Sequence, residues 1–244
     1  MVRVVFQSTI KLQTFSLKFL SKIMVLMSTV FLAGASRGVG LEIASRLAAR
    51  SIPTIAFLRQ PQPEITALGI QVRSGDAMNP DDVAAAMVGG AIDTVISTIG
   101  GASAEGVRSD FVGNRNVIDA AVAVGAKHFI LVTSLGTGDS AIALPESALQ
   151  ALSAVLKEKN LAEEYLRNSG LTYTIVRPGG LKSEPATGNG VLTADPSIGG
   201  IIHRADVAEL IVQCVNNPKS HNQTLGAVDR TMVYGDREFA IVML

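Results

Sequence analysis

The sequence has little of what disulfide frameworks, metal centres and hydrolase sites are built from. Its 244 residues include one cysteine and three histidines. A single cysteine excludes an internal disulfide framework and a cysteine-rich metal site. Because Cys214 falls at an apolar position of a predicted helix, we interpret it as part of the core. The scattered histidines form no recognisable metal-dependent or hydrolytic site, and we expect no metal.

An excess of charge of one sign and long apolar runs are also absent. Lysine plus arginine and aspartate plus glutamate both total 21, so the formal net charge is zero. No whole-protein field therefore attracts nucleic acid or an anionic membrane. The chain has no uninterrupted run of about 18 apolar residues, which argues against a membrane-spanning helix. Hydrophobic residues make up 48% and charged residues 17%, a balance that suits a parallel sheet covered on both faces.

The first 28 residues differ in composition from the rest. They contain no acidic residue and four basic ones, Arg3, Lys11, Lys18 and Lys22. This composition suits an organelle transit peptide, whereas two of the lysines interrupt any apolar stretch of a secretory signal. The alternative is an upstream start codon, with the working protein beginning near Met24 or Met27. We treat residues 1–28 as an extension and 29–244 as one domain, cytoplasmic unless the extension directs it to an organelle.

From Thr29 onward, short apolar runs rich in β-formers alternate with helical patterns. The predicted strands are 29–33, 54–58, 70–72, 94–98, 128–133, 172–176 and 224–228. The predicted helices are 41–50, 79–87, 116–124, 147–168 and one that follows Arg204. Regular alternation of this kind predicts a doubly wound parallel sheet with helices on both faces, a Rossmann fold, in a single domain. Residues 232–244 are either an edge strand or a tail.

The most specific motif is a glycine-rich turn between the first predicted strand and its helix. It reads Gly34-Ala35-Ser36-Arg37-Gly38-Val39-Gly40. The pyrophosphate of a dinucleotide needs backbone N–H donors at a helix N-terminus with no Cβ in the way. Gly34 permits the sharp turn, Gly38 lets the phosphates approach, and Gly40 lets the helix pack on its strand. The turn therefore predicts a dinucleotide site that includes Ser36, Arg37 and Val39.

The end of the second predicted strand distinguishes NAD from NADP. An acidic residue there would hold the ribose 2′-hydroxyl, whereas arginine suits a 2′-phosphate. The chain has Leu58-Arg59-Gln60 at this point, with no acidic residue nearby. Arg37 can reach the same phosphate, so we expect two guanidinium groups to converge on it. The predicted cofactor is NADP(H).

Two further segments fit the outline of the cofactor. Asp76 and Ala77 follow the third predicted strand, where the carboxylate can accept a hydrogen bond from the adenine amino group; the alternative is an ordinary turn residue. Thr98, Ile99 and Gly100 end the fourth strand at the carboxyl edge of the sheet, where ligands bind in such folds. We expect the backbone there to approach the cofactor.

The glycine spacing G-x-x-x-G-x-G resembles that of the short-chain dehydrogenases/reductases, with Ala33 where that family has threonine. From about Thr29 to Val228 the chain resembles the atypical members, the group that includes the NmrA-like proteins and biliverdin reductase B. The segments that carry the resemblance are 34–40, 58–59, 75–76, 129–134, 162–171, 173–181 and 204–208. They are specific to the group but not to one substrate.

In typical members a Tyr-x-x-x-Lys pair on the long helix and a serine after strand five carry out the acid–base chemistry. Aligned through residues 162–164, Lys159 takes the lysine position, but Val155 stands where the tyrosine would be. The resemblance leaves Thr133 and Ser134 to bind a substrate oxygen and Lys159 to contact the cofactor. The alternatives are hydroxyls that simply end a strand and one more charge on a helix face.

Pro178, Gly179, Gly180 and Leu181 resemble the family segment that passes the nicotinamide, although such a sequence also suits a plain loop. A substrate would lie between Ser134 and the stretch 178–193, which we expect to be a loop that serves as a lid.

Two functions remain open, and so does the choice between monomer and dimer. The first is an NADPH-dependent oxidoreductase whose small-molecule substrate is a conjugated acceptor of flavin, quinone or tetrapyrrole type, because such rings can take their proton from solvent. The second is a non-catalytic NADP-binding regulator or assembly factor, as among the NmrA-like proteins.

Overall fold

The computed structural model describes residues 29–103, 106–235 and 237–244. The strands are β1 Thr29–Ala33, β2 Thr54–Leu58, β3 Gln71–Ser74, β4 Ile92–Ser97, β5 His128–Val132, β6 Tyr173–Pro178, β7 Gly180–Lys182, β8 Gly190–Thr193, β9 Ile201–His203 and β10 Gln223–Asp229. The helices are α1 Gly38–Ala49, α2 Pro63–Ala67, α3 Pro80–Met87, α4 Val112–Ala123, α5 Glu146–Arg167 and α6 Arg204–Cys214. Short 3₁₀ helices span Gly138–Ala143 and Pro218–Ser220. The predicted extension, residues 1–28, lies outside the described residues.

Eight strands form one sheet in the order β3-β2-β1-β4-β5-β6-β10-β8. Every neighbouring pair is parallel except β10 with β8, which is antiparallel. The prediction of a doubly wound, mostly parallel Rossmann sheet is confirmed. The strand order reverses between β1 and β4, and ligands of such sheets bind at this point, outside the carboxyl ends of the strands.

The stretch 178–193 is not the uninterrupted loop that we expected. It contains β7, which pairs with β9, and β8, which covers the outer edge of the main sheet by pairing with β10. Leu192 and Thr193 are buried there, and this burial stabilises the pairing although the glycines of the stretch favour a loop. Within this stretch, only Gly179 and residues 183–189 lack regular structure.

Two other boundaries differ from those predicted. Helix α4 begins at Val112, one turn before residue 116, because Gly113 and Asn114 are weak helix formers that hide the start of the helix. Asn114 is nevertheless buried, and its amide oxygen accepts a hydrogen bond from Ser97 Oγ at 2.6 Å. Residues 237–244 form a tail without regular structure, which resolves the choice between strand and tail for that part.

Apolar side chains cover both faces of the sheet. Helices α1 and α6 pack on one face through residues such as Ile43 and Ile211, while α3, α4 and α5 pack on the other through residues such as Val83 and Leu166. Cys214 is fully buried in the first layer, and burial raises the pKa of its thiol to about 12, as expected for a core residue. None of the helices in the described ranges is long and apolar enough to cross a membrane.

The amino edge of the sheet carries a buried histidine, His128. Its Nε2 lies 2.8 Å from Thr174 Oγ1, and the Thr174 hydroxyl donates to the Ser220 carbonyl oxygen at 2.7 Å. The threonine therefore accepts from His128 Nε2–H, which leaves Nδ1 as the unprotonated nitrogen of a neutral ring. Burial, assisted by the His221 ring 4.6 Å away between centroids, lowers the pKa of His128 to about 4.

This histidine makes the stability of the fold pH-dependent. The unfolded chain takes up a proton on His128 below about pH 6.5, whereas the folded chain does not until about pH 4. The contribution is therefore complete above pH 6.5, and we expect roughly 2 to 3 kcal/mol of it to be lost between pH 7.5 and 4.5. Urea unfolding of the wild type and of His128→Asn at both pH values measures the difference. Equal losses in the two proteins would contradict this account of His128.

Candidate functional site

The glycine turn between β1 and α1 lies tightly against the end of β4. Gly34 has φ +92, and a Cβ on it would come within 2.6 Å of Thr98 Oγ1. A Cβ on Gly40 would overlap the Gly34 carbonyl oxygen, which accepts a hydrogen bond from Thr98 Oγ1 at 3.0 Å. Both glycines are therefore needed for the close packing of strand, turn and helix.

Gly38 plays a different part in the turn. It begins α1 with φ +56, and among the described residues only the Arg204 side chain comes within 4 Å of its Cβ position, with Nε at 3.6 Å and Cδ at 3.8 Å. The first backbone N–H groups of α1 are thus open to an incoming phosphate at the positive end of the helix.

Arg204 is a site residue that the sequence reasoning did not single out. It begins α6, and its Nη1 donates to Ser183 Oγ at 2.7 Å while the stem of its side chain passes over Gly38. The sequence showed it only as part of the segment 204–208. Its position beside the turn depends on the packing of α6 on α1, which no local pattern reveals.

The end of β2 forms one wall of a polar groove of about 340 Å³, lined by Ser36, Arg59, Gln60 and Gln62. The fold thus brings together the predicted residues Ser36 and Arg59. The predicted convergence of Arg37 with Arg59 is wrong in this structure, because Arg37 Nη2 lies 3.8 Å from the Cβ position of Gly101, at the end of β4. Strand β1 separates the ends of β2 and β4 in the sheet, so the exposed Arg37 side chain extends to the opposite side.

Asp76 and Ala77 lie in the turn that leads into α3. Asp76 Oδ1 accepts the Met78 backbone N–H at 2.9 Å, and the Ala77 carbonyl oxygen accepts from Asn116 Nδ2 at 2.9 Å. Asp76 is exposed, as contact with an adenine requires. Its role toward that ring stays a prediction.

A buried carboxylate, Asp110, organises the end of β4. Its Oδ1 lies 3.0 Å from Lys159 Nζ, and its Oδ2 accepts from Arg108 Nη2 and from the Gly101 backbone N–H, both at 2.9 Å. Burial alone would raise the pKa of Asp110, but the Lys159 charge, the Gly101 N–H and Arg108 together hold it below its usual range. The sequence carries no motif for Asp110, because its partners come from distant parts of the chain.

The contact with Asp110 fixes the position of Lys159. Its Nζ lies 3.3 Å from the Cβ position of Gly100, directly at the predicted cofactor-binding backbone of residues 98–100. The Ile99 carbonyl oxygen of the same backbone accepts from Asn114 Nδ2 at 3.2 Å. The structure therefore brings Lys159 together with residues 98–100 at the end of β4, and its contact with the cofactor stays a prediction.

The two hydroxyls after β5 have different surroundings. Thr133 is buried, and its Oγ1 donates to Glu163 Oε1 at 2.7 Å, so its hydrogen is not available to a substrate oxygen. Glu163 in turn binds Arg177 Nε at 3.0 Å and Nη2 at 2.7 Å, which joins α5 to β6. Thr133 was predicted to bind a substrate oxygen, but in the structure its hydroxyl belongs to this ion-pair network instead. Ser134 is partly exposed and donates to the Leu135 carbonyl oxygen at 2.9 Å.

The segment Pro178–Leu181 leaves β6 at the carboxyl edge of the sheet. A Cβ on Gly179 would overlap the Gly200 carbonyl oxygen, and the Gly180 N–H donates to that same oxygen at 2.9 Å. Gly180 and Leu181 are exposed. The segment is thus held close to the residues that precede β9, and contact with a nicotinamide stays a prediction.

Comparison with known proteins identifies the family. Residues 34–218 match the family described as NAD(P)H-binding. The match covers more than half of the chain and begins at the first glycine of the turn. The protein belongs to this NAD(P)H-binding family, and the glycine turn with its open helix N-terminus is the part of the structure that suits such a cofactor.

Three similar proteins place it more narrowly. The structure of ChuY, an anaerobillin reductase from Escherichia coli O157:H7, has a TM-score of 0.76 and 36% identity, and the match covers 87% of this chain and all of that one. The uncharacterized sugar epimerase YhfK of Bacillus subtilis is 32% identical over 80% of this chain and 91% of its own. Sanguinarine reductase of Eschscholzia californica is 37% identical over 47% of this chain and 42% of its own. The resemblance to atypical short-chain dehydrogenases/reductases is confirmed.

The open position of Gly38 can be tested against a matched glycine. Gly89 also has a left-handed φ, +75, and no atom of the part of the chain that the structure describes lies within 4 Å of its Cβ position. Alanine at either position should destabilise the fold by about 1 kcal/mol. Only Gly38→Ala places a Cβ where phosphates approach, so we expect its Kd for NADPH, measured by calorimetric titration, to rise at least about tenfold. Equal NADPH affinity in Gly38→Ala and Gly89→Ala would show that the turn does not bind the phosphates.

Proposed function

We propose that the protein is an NADPH-dependent oxidoreductase that reduces a conjugated acceptor of flavin, quinone or tetrapyrrole type. The observation that carries the proposal is the placement of Lys159, held by Asp110 against the Gly100 backbone at the switch point of the sheet. Lys159 is partly buried, and its ammonium group pairs with a buried carboxylate beside the predicted cofactor-binding edge, so it is more than a solvated charge on a helix face. We assign it to hold the cofactor in position.

The preference for NADPH over NADH is part of the proposal. Ser36 and Arg59 line one groove at the end of β2, and none of the described residues that line it is acidic. A ribose 2′-phosphate placed there would accept hydrogen bonds from a guanidinium and a hydroxyl, whereas a 2′-hydroxyl would lack the carboxylate that NAD-binding sites supply. Arg204 and the open N-terminus of α1 would bind the pyrophosphate.

The missing tyrosine limits the reaction to acceptors that need no positioned acid. Val155 takes the place of the tyrosine one turn before Lys159. The bound cofactor would supply a hydride. An electron-poor conjugated ring delocalises the incoming electron pair and can take its proton from water. The protein therefore needs mainly to hold the nicotinamide and the acceptor ring close together in the correct orientation. Ser134, partly exposed after β5, would orient an oxygen of the acceptor.

Two of the similar proteins support the reductase class. ChuY is described as an anaerobillin reductase, and the Eschscholzia protein as a sanguinarine reductase. Both descriptions name reduction, and neither decides the acceptor of this chain. The other candidate function, an NADP-binding regulator or assembly factor, would use the same cofactor groove without turnover.

The cofactor preference predicts a selective effect of Arg59→Ala. Loss of a charge-assisted hydrogen bond to the 2′-phosphate should raise the Kd for NADPH by roughly ten- to a hundredfold and leave that for NADH unchanged. Arg50→Ala is the control, because Arg50 lies just after α1 and pairs with Glu209 at 2.7 Å, away from the groove. If Arg59→Ala weakened both cofactors equally, the groove would not be the 2′-phosphate site.

The activity itself is tested by following NADPH oxidation with flavins, quinones and biliverdin offered in turn. We expect turnover with at least one of them, reduced at least about tenfold in Lys159→Met. Lys157→Met is the matched control, since Lys157 lies on the same helix but is exposed. Tight NADPH binding without turnover of any acceptor would overturn the reductase and favour the NADP-binding regulator.

A further inference from the structure

The chain returns to the carboxyl edge of the sheet after β10. The Tyr234 N–H donates to the Gly199 carbonyl oxygen at 2.8 Å, and Val233 forms an antiparallel bridge with Gly200. The Ile201 N–H donates to the Met232 carbonyl oxygen at 3.1 Å. The backbone of residues 232–234 is therefore fixed alongside the segment that leads into β9.

The Tyr234 ring lies on two glycines. Its Cδ2 is 3.0 Å from the Cβ position of Gly199, and its Oη is 3.7 Å from the Cβ position of Gly180. The side chain is nevertheless 47% exposed, and its hydroxyl makes no hydrogen bond within residues 29–103, 106–235 and 237–244. The backbone of Tyr234 is fixed, one side of its ring lies against glycines, and the rest of the ring is exposed. That exposed ring surface is available to a ligand.

This ring lies beside the proposed substrate position. Gly180 belongs to the segment that follows β6. Val233 packs against a buried cluster formed by Leu135, Ile198 and Val228, and Leu135 is the residue after Ser134. Two further exposed apolar side chains come from the neighbouring strand connections. Ile142, 70% exposed, follows β5, and Leu181, 40% exposed, follows β6. The connections after β5, β6 and β10 thus bring apolar surface to one part of the carboxyl edge.

We propose that Tyr234 is the aromatic surface on which the planar ring of the acceptor stacks, and so a specificity-determining residue of the site. The proposal rests on the reductase function proposed above. A planar conjugated acceptor gains from offset stacking on an aromatic ring, and tyrosine supplies that area with few rotatable bonds to fix. The glycines at 180 and 199 add no side chains that would compete for the space.

Kinetics separate the ring from the hydroxyl. With the acceptor that gives the fastest turnover, Tyr234→Leu should raise the acceptor KM about three- to tenfold while the KM for NADPH stays the same. The conservative Tyr234→Phe should rescue the acceptor KM, because it keeps the ring. Tyr165→Phe is the control, since the Tyr165 hydroxyl donates to Asp119 Oδ1 of α4 at 2.6 Å. An unchanged acceptor KM in Tyr234→Leu, or an equal loss in Tyr234→Phe, would overturn the stacking role.

A binding measurement keeps this inference distinct from the reductase function. The chain has only three tyrosines, so tyrosine-ring-labelled protein gives few NMR signals, which Tyr234→Phe and Tyr165→Phe assign. FMN added to the NADP⁺-bound protein should shift the Tyr234 ring signals upfield through its ring current and leave those of Tyr165 in place. Such a shift without turnover would refute the reductase function but support stacking of the acceptor on Tyr234. Turnover of FMN without any shift at Tyr234 would support the reductase function and refute the stacking.

Discussion

The hydrogen bond from the Thr98 hydroxyl to the Gly34 carbonyl oxygen joins the end of β4 to the glycine turn. The same carbonyl is the atom that a side chain at Gly40 would overlap. Through these contacts the start of α1 is fixed relative to the switch point of the sheet, and the open N–H groups that follow Gly38 face the same edge as Lys159. The distance between the phosphate end and the reactive end of a dinucleotide is therefore set by backbone packing rather than by flexible side chains.

Local charge at this edge differs from the charge of the whole chain. The net charge is zero, yet five cationic side chains lie along the carboxyl edge: Arg37, Arg59, Arg108, Lys159 and Arg204. Asp110 is buried among them and holds two of the five in place. NADPH carries a pyrophosphate and a 2′-phosphate, so a cationic edge on a neutral protein directs the field to the cofactor without a general attraction for nucleic acid.

Much of this arrangement could be predicted from the sequence, because the phosphate-binding turn and the alternation of strands and helices are local patterns. The features that were missed depend on contacts between distant segments. The role of Asp110 depends on Lys159, which α5 brings within ion-pair distance of it. Strand β8 forms only because it can pair with β10. The hydroxyl of Thr133 was assigned to a substrate because no pattern reveals the buried Glu163 beneath it.

The tail shows the same limit. Tyr234 lies in a stretch whose sequence suits a strand and a tail equally well. Only the backbone hydrogen bonds between this stretch and residues 199–201 place the ring beside Gly180. A site built on the edge of a Rossmann sheet thus draws its cofactor contacts from local motifs and its substrate contacts from the connections that differ most between relatives.

The most direct test of the account is the fate of deuterium from NADPH that carries deuterium at both hydrogen positions of the nicotinamide C4. With a tetrapyrrole acceptor, the new C–H bond keeps the label, and mass spectrometry of the product reads it. The account predicts one deuterium on the reduced acceptor and none released to water. Absence of NADPH oxidation beyond the rate without protein, or a reduced product that carries no label, would contradict hydride transfer in this site.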